Sequence, residues 1–377
     1  MTHTENRKVL YLPSTPLNLL VSVAHAVNYS SEQVAQIVLI DQQSSQSNVY
    51  FNALQAWSNS PFQQVDLTLG TAKGKDKLNE RKDNFAKLAA LVKKFPADAV
   101  AVGSDRRVEF QYVMHSLTKA SKEVGGWYLD DGLYSYAGRP YKWSKDWINA
   151  LLKKTVYGMW WQEPKTVGAS DWIKQAWLFR PNNAVKELKS KQMHTIKAPW
   201  FIHADVRQFS EQVCSGYGLK QILLSALQSV DLFLLIPHPN NIKKMFGYEE
   251  RIHQFLSQRN QQGLRVAVKY HPRTEQKDPL DLEKSYQALL IPGGLAFEFV
   301  LPFLKLNAQV VGDVGTALLT AQWLRPDLSV SAVLAEDDQF QSAFKTIYEQ
   351  LGVNIVNSFQ NVEMPSGIEG VKLKDGL

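Results

Sequence analysis

Two clusters of residues in this chain are equipped for chemistry. Asp130-Asp131-Gly132 follows the apolar run Trp127-Tyr128-Leu129, and Tyr270-His271-Pro272-Arg273 follows Val266-Ala267-Val268-Lys269. A carboxylate can take a proton from a hydroxyl, and a histidine flanked by lysine and arginine can meet a phosphate and supply a proton to it. One cluster lies in each half of the sequence, so together they read as a divided active site. The acids would supply a base on one wall, and the histidine would supply a phosphate-binding acid on the other.

The elements around these clusters alternate. Val9-Leu10-Tyr11-Leu12, Ile37-Val38-Leu39-Ile40, Ala99-Val100-Ala101-Val102 and Trp127-Tyr128-Leu129 read as buried strands, separated by segments of helical spacing such as Asn84 to Leu91. After a polar, basic interval from Pro181 to Lys197 the alternation resumes at 232–236, 266–269, 309–312 and 329–333. Strands joined by crossover helices imply parallel sheets, and ligands of such sheets bind beyond the strand C-termini. Both clusters fall at that edge. So does Gly312-Asp313-Val314-Gly315-Thr316, which opens the helical stretch 317–323; free backbone N–H groups and the helix dipole favour an anion there.

With 377 residues, 45% of them hydrophobic, the chain is long enough for two cores at about 100–200 residues per domain. The expected division is a Rossmann-like domain over 1–185, a second over 198–364, and a flexible tail over 365–377. The single cysteine, Cys214, allows no internal disulfide and no thiolate zinc site, which points to the cytoplasm. No signal peptide is read at the N-terminus, and no apolar run reaches the roughly 18 residues of a spanning helix. The net charge of +6 suits nucleic acid, anionic lipid or acidic small substrates alike. Nucleic acid is disfavoured because zinc-finger spacing, ribonucleoprotein aromatics and arginine-rich runs are missing from the sequence.

Taken in order, Asp-Asp-Gly, His-Pro, Phe297-Glu298 some 25 residues on, and a Gly-Thr turn resemble the motifs of bacterial CMP-sialic acid-dependent sialyltransferases of the GT-B type. The resemblance spans about residues 8 to 335 as ordered motifs rather than as close similarity. It implies an α/β GT-B fold, two Rossmann-like domains whose parallel sheets face a central cleft. It further implies Asp130 or Asp131 as general base, with Asp130 favoured, His271 as phosphate contact and general acid, and Glu298 on the cytidine ribose. Pro272, Arg273, Gly315 and Thr316 complete the donor site. The chain departs from the pattern in having Gly315-Thr316 where many relatives have two adjacent hydroxyl residues, so phosphate binding is expected more from backbone than from side chain. The activity implied is metal-independent, inverting transfer of sialic acid or a related nonulosonic acid from its CMP form to a surface glycan, a lipooligosaccharide or capsular polysaccharide, without a cofactor. The adjacency of Asp130 and Asp131 also differs from the Asp-any-Asp metal motif of the other large glycosyltransferase fold. Three alternatives stand beside this reading: a transferase using another nucleotide sugar, a non-catalytic nucleotide-sugar-binding scaffold of polysaccharide assembly, and an epimerase of the same two-domain shape.

Each motif also has a plainer explanation. Asp-Asp-Gly can be a solvated turn, His271-Pro272 can simply end a strand, and His238-Pro239 after another strand shows how common that dipeptide is. Glu298, an acid among apolar neighbours, either faces a partner or sits on a helix surface. The turn Pro13 to Asn18 either faces the cleft or merely caps a helix with Ser14 or Thr15 ahead of Pro16. From Tyr141 through Trp143, Lys145, Trp147, Ile148, Leu151 and Leu152 to Trp161, tryptophans and leucines interleave with lysines. Such a stretch can lie on an anionic membrane surface, here the inner membrane, or can pack into the core with its lysines in solvent.

Overall fold

The computed structural model describes residues 6–44, 46–120, 123–313, 315–334 and 339–363. The chain divides into two units, Met1–Val213 and Cys214–Leu377. In the first unit the strands are β1 (Arg7–Tyr11), β2 (Gln33–Gln42), β3 (Phe62–Leu69), β4 (Ala99–Val102), β5 (Gly125–Leu129), β6 (Ile173–Leu178) and β7 (Gln192–Thr195). They form one parallel sheet in the order β3-β2-β1-β4-β5-β6-β7. In the second unit, β8 (Leu232–Leu235), β9 (Val266–Lys269), β10 (Leu289–Ile291), β11 (Gln309–Gly312), β12 (Ser329–Val333) and β13 (Asn354–Val356) pair in parallel in the order β10-β9-β8-β11-β12-β13.

The central strands read as unbroken apolar runs because helices cover both faces of a parallel sheet, leaving no solvated side to alternate with. All four residues of β4 are buried, as are Leu10 and Val38, and Leu10, Val38 and Val102 pack with Leu88, Phe110, Val113 and Leu117 of the flanking helices. In the second unit, Leu232, Leu234, Val266 and Val268 pack with Ile252, Phe255 and Leu256. Each sheet has one switch point: the chain leaves the first strand to one side and returns to the other, between β1 and β4 and again between β8 and β11. A crevice opens beyond the strand C-termini at such a point.

Part of the interval expected to join the two units carries structure. Gln192–Thr195 is β7, the edge strand of the first sheet, and the division of the chain falls between Val213 and Cys214. The expected tail, 365–377, lies outside the described residues. The Trp143–Tyr157 helix is not packed into the core as one reading had it: Asp146 is its buried residue, while Trp143, Trp147, Ile148, Leu151, Leu152 and Val156 are exposed. Among the described residues, no helix is long and apolar enough to cross a membrane.

Candidate functional site

In the first unit three strand ends converge on Asp131. Thr15 caps the Pro16–Asn28 helix after β1, its hydroxyl accepting from the Asn18 N–H at 3.2 Å. Asn18 is fully buried and donates from Nδ2 to Asp131 Oδ1 at 2.6 Å, at the end of β5. To get there it passes over Gly103, at the end of the intervening β4. A Cβ on Gly103 would stand 2.1 Å from the Asn18 side chain, so no larger residue fits. The turn Pro13 to Asn18 is therefore both a helix cap and a wall of the crevice.

The two acids have different environments. Asp130 is fully buried and accepts four hydrogen bonds: from the Gly132 N–H at 3.0 Å and Ser135 Oγ at 2.6 Å on one oxygen, and from the Phe179 N–H at 3.1 Å and the Tyr136 hydroxyl on the other. It ties the Asp-Asp-Gly turn to β5 and to the chain after β6, and its burial raises its pKa. Asp131 is half-buried. Burial pushes its carboxyl up to about 7, against the hydrogen bonds from Asn18 and Thr15 and the charge of Arg107, with Asp130 adding to the rise. A carboxylate tuned to the operating pH is what general-base chemistry needs. The solvated-turn explanation of Asp-Asp-Gly does not survive this burial.

In the second unit a cavity of about 390 Å3 lies beyond the ends of β8, β9 and β11. His238, Lys269, His271, Pro272, Glu298, Gly315 and Thr316 line it. His271 Nδ1 accepts the Arg273 N–H at 3.1 Å, and His238 Nδ1 accepts the Asn240 N–H at 3.0 Å. An Nδ1 that accepts leaves the ring proton on Nε2, so each neutral imidazole offers one N–H donor. The rings are neighbours, their centroids 4.7 Å apart. The second His-Pro of the sequence is thus the partner of the first, a relation fixed only by the pairing of β8 with β9.

Burial lowers the His271 pKa, and His238, Lys269 and Arg273 lower it further, so at pH 7 the ring is neutral rather than an imidazolium. The cavity's positive charge comes instead from Lys269, held at 3.0 Å from the Gly293 carbonyl and, although burial lowers it to about 8, still mostly protonated at pH 7. Arg273 is exposed and contributes its backbone N–H to the orientation of His271. Glu298 is not a helix-surface acid. It follows Phe297 in a turn of 3-10 helix, lines the cavity, and accepts from Thr320 Oγ1 at 3.0 Å, its pKa raised by burial. Thr316 opens the Thr316–Leu324 helix at the cavity edge, but the Gly315 N–H is already given to the Tyr348 hydroxyl at 2.6 Å. An anion there would meet the turn beyond Gly315. Among the described residues, no group of three or more His, Cys, Asp and Glu side chains is arranged to hold a metal ion.

Neither a scan against protein-family models nor a search of curated proteins finds a match. Solved structures do match. An α/β-galactoside α-2,3-sialyltransferase from the luminous marine bacterium Photobacterium phosphoreum aligns with a TM-score of 0.57 at 13% identity, over 95% of this chain and 100% of that one. The UDP-GlcNAc 2-epimerases of Methanocaldococcus jannaschii and of Neisseria meningitidis, the latter bound to UDP-GlcNAc, each align with a TM-score of 0.50 at 13% identity. They cover 93% and 94% of this chain and 88% and 89% of theirs. The chain has the GT-B fold, two Rossmann-like α/β units.

Proposed function

We propose that this protein is a glycosyltransferase that moves sialic acid, or a related nonulosonic acid, from a CMP-activated donor to a surface glycan, a lipooligosaccharide or capsular polysaccharide. The observation that carries the reading is Asp131, a half-buried carboxylate raised to about 7 and aimed by Asn18 at the switch edge of the first sheet. It takes the proton of the acceptor hydroxyl as that oxygen bonds to the anomeric carbon. The bond from that carbon to the CMP phosphate breaks, and its electron pair leaves with the phosphate oxygen. His271 offers its Nε2–H to that oxygen, with His238 beside it and Lys269 supplying charge, and Glu298 accepts from the ribose hydroxyls. Asp130 holds the turn that carries Asp131. Attack opposite the leaving phosphate inverts the anomeric carbon, and the step as written needs no metal. The order of the motifs and the likeness to a sialyltransferase structure support CMP as the nucleotide. Cytoplasmic residence belongs to the same proposal, supported by one buried thiol, Cys214.

A panel of nucleotide sugars, each scored for nucleotide release with and without glycan acceptors, tests the reading. Acceptor-dependent CMP release supports it. Release of UDP or GDP moves the donor class, interconversion of a free UDP-sugar makes the chain an epimerase, and binding without turnover makes it a scaffold.

A further inference from the structure

The Trp143–Tyr157 helix is amphipathic in the inverted sense. A surface helix normally turns its apolar stripe to the core and its charges to water. Here the inward side carries charged groups beside Tyr157, whose ring packs against Phe85, Trp160 and Trp161: Asp146 is paired with Arg139 at 2.6 Å, and Lys153 reaches Glu163 at 2.8 Å and lies 4.5 Å from the Trp161 ring centre. The outward side carries Trp143 at 72% exposure, Leu152 at 60%, and Trp147, Ile148, Leu151 and Val156 each above half, with Met159 at 80% just beyond the helix end. At 3.6 residues per turn these six helical residues fan over a sector of roughly 220°. Lys145 and Lys154 fall near its two borders, and Lys142 precedes Trp143 at the helix start.

We propose that this face docks on an anionic lipid bilayer, the helix lying in the interface with its tryptophans and leucines among the upper acyl chains. Charge selects this occupant. The helix's one acid, Asp146, is turned inward and neutralised by Arg139, so its outward charges are all lysine, on stems long enough to reach headgroups while the apolar side chains sink. A second copy of the chain would set lysines against lysines, whereas an anionic surface complements them. The inference does not depend on the transfer reading, and its test contains neither donor nor acceptor.

The experiment is co-sedimentation of the full chain with vesicles of mixed phosphatidylcholine and phosphatidylglycerol, and of phosphatidylcholine alone. The full chain is expected to pellet with the anionic vesicles and to be released by salt. Lys145→Glu/Lys154→Glu should bind at least about thirtyfold more weakly, and Trp147→Ser/Leu151→Ser/Leu152→Ser should remain in the supernatant. Lys145, Trp147, Leu151 and Leu152 are exposed and Lys154 is half-buried, so urea midpoints should stay close to wild type. If the triple variant is destabilised, the charge reversal decides. No pelleting with anionic vesicles at low salt, or triple and charge-reversed variants that bind as wild type does, overturns the proposal. So does a wild-type dimer that the triple substitution dissolves while no form binds vesicles.

Discussion

Replacing Asp131 with asparagine separates chemistry from architecture at the candidate site. The substitution is nearly isosteric, and the Asn18 Nδ2 donor at 2.6 Å keeps an amide oxygen to bond, so the turn should hold. The proton acceptor is lost. General-base assistance contributes about 10²–10⁴ in rate, or roughly 2.7–5.4 kcal/mol at 1.36 kcal/mol per tenfold, so kcat for CMP release should fall at least a hundredfold. CMP affinity, which belongs to the second unit's cavity in this reading, should hold in a calorimetric titration. Two further readouts follow from the carboxyl's elevation to about 7. Activity should rise with pH through about 7 in the wild type as the base deprotonates. Stability runs the other way: between the ordinary carboxylate range and about 7 the unfolded chain is ionised while the folded one keeps its proton. Folding thus loses stability as pH rises through that window, and asparagine should remove the loss and raise the melting temperature at neutral pH. A wild-type kcat in Asp131→Asn would refute the assignment, and so would a lowered melting temperature accompanied by weakened CMP binding.

Asp130→Asn should behave in the opposite way: an amide nitrogen in place of one oxygen confronts the Phe179 N–H and leaves a buried donor unpaired, a cost of about 1–3 kcal/mol that a urea melt will read as lost stability. His271→Ala and Glu298→Ala should each weaken CMP binding by ~1.5–3 kcal/mol, with the histidine also lowering kcat, and calorimetry that found the Asp130 and Asp131 variants weaker than these would reverse the division of labour. EDTA should leave most activity in place, since in this reading Lys269 and the two imidazoles that line the cavity would meet the leaving phosphate; abolition by chelator with rescue by magnesium or manganese would make the acidic pair a metal site.

Much of this organisation is written locally. Eight of the strands are marked by β-branched or apolar runs, because burial between two helical layers favours apolar residues at nearly every position of a central parallel strand. Strands β3, β6, β7, β10 and β13 do not announce themselves. Gln63 and Gln64 interrupt β3 with exposed polar side chains, β10 and β13 are three residues long, and β7 hides in a basic stretch, because strands at or near a sheet's edge need no continuous apolar run. Asp-Asp-Gly and His271-Pro272 stand out as polar residues after apolar strands, and Glu298 as an acid within an apolar run that matches the family's motif order, so sequence sufficed to nominate them. Pairing decided the rest. That Asn18 crosses Gly103 to reach Asp131 depends on β1, β4 and β5 lying side by side, although 113 residues separate the two partners. That His238 faces His271 depends on β8 beside β9, and that Asp130 is enclosed while Asp131 is only half-buried depends on how the chain after β6 packs over the turn. The Trp143–Tyr157 sequence, in the same way, is amphipathic on paper; only tertiary contacts, which turn Asp146 and Lys153 inward, determine that its apolar face is the one left outside.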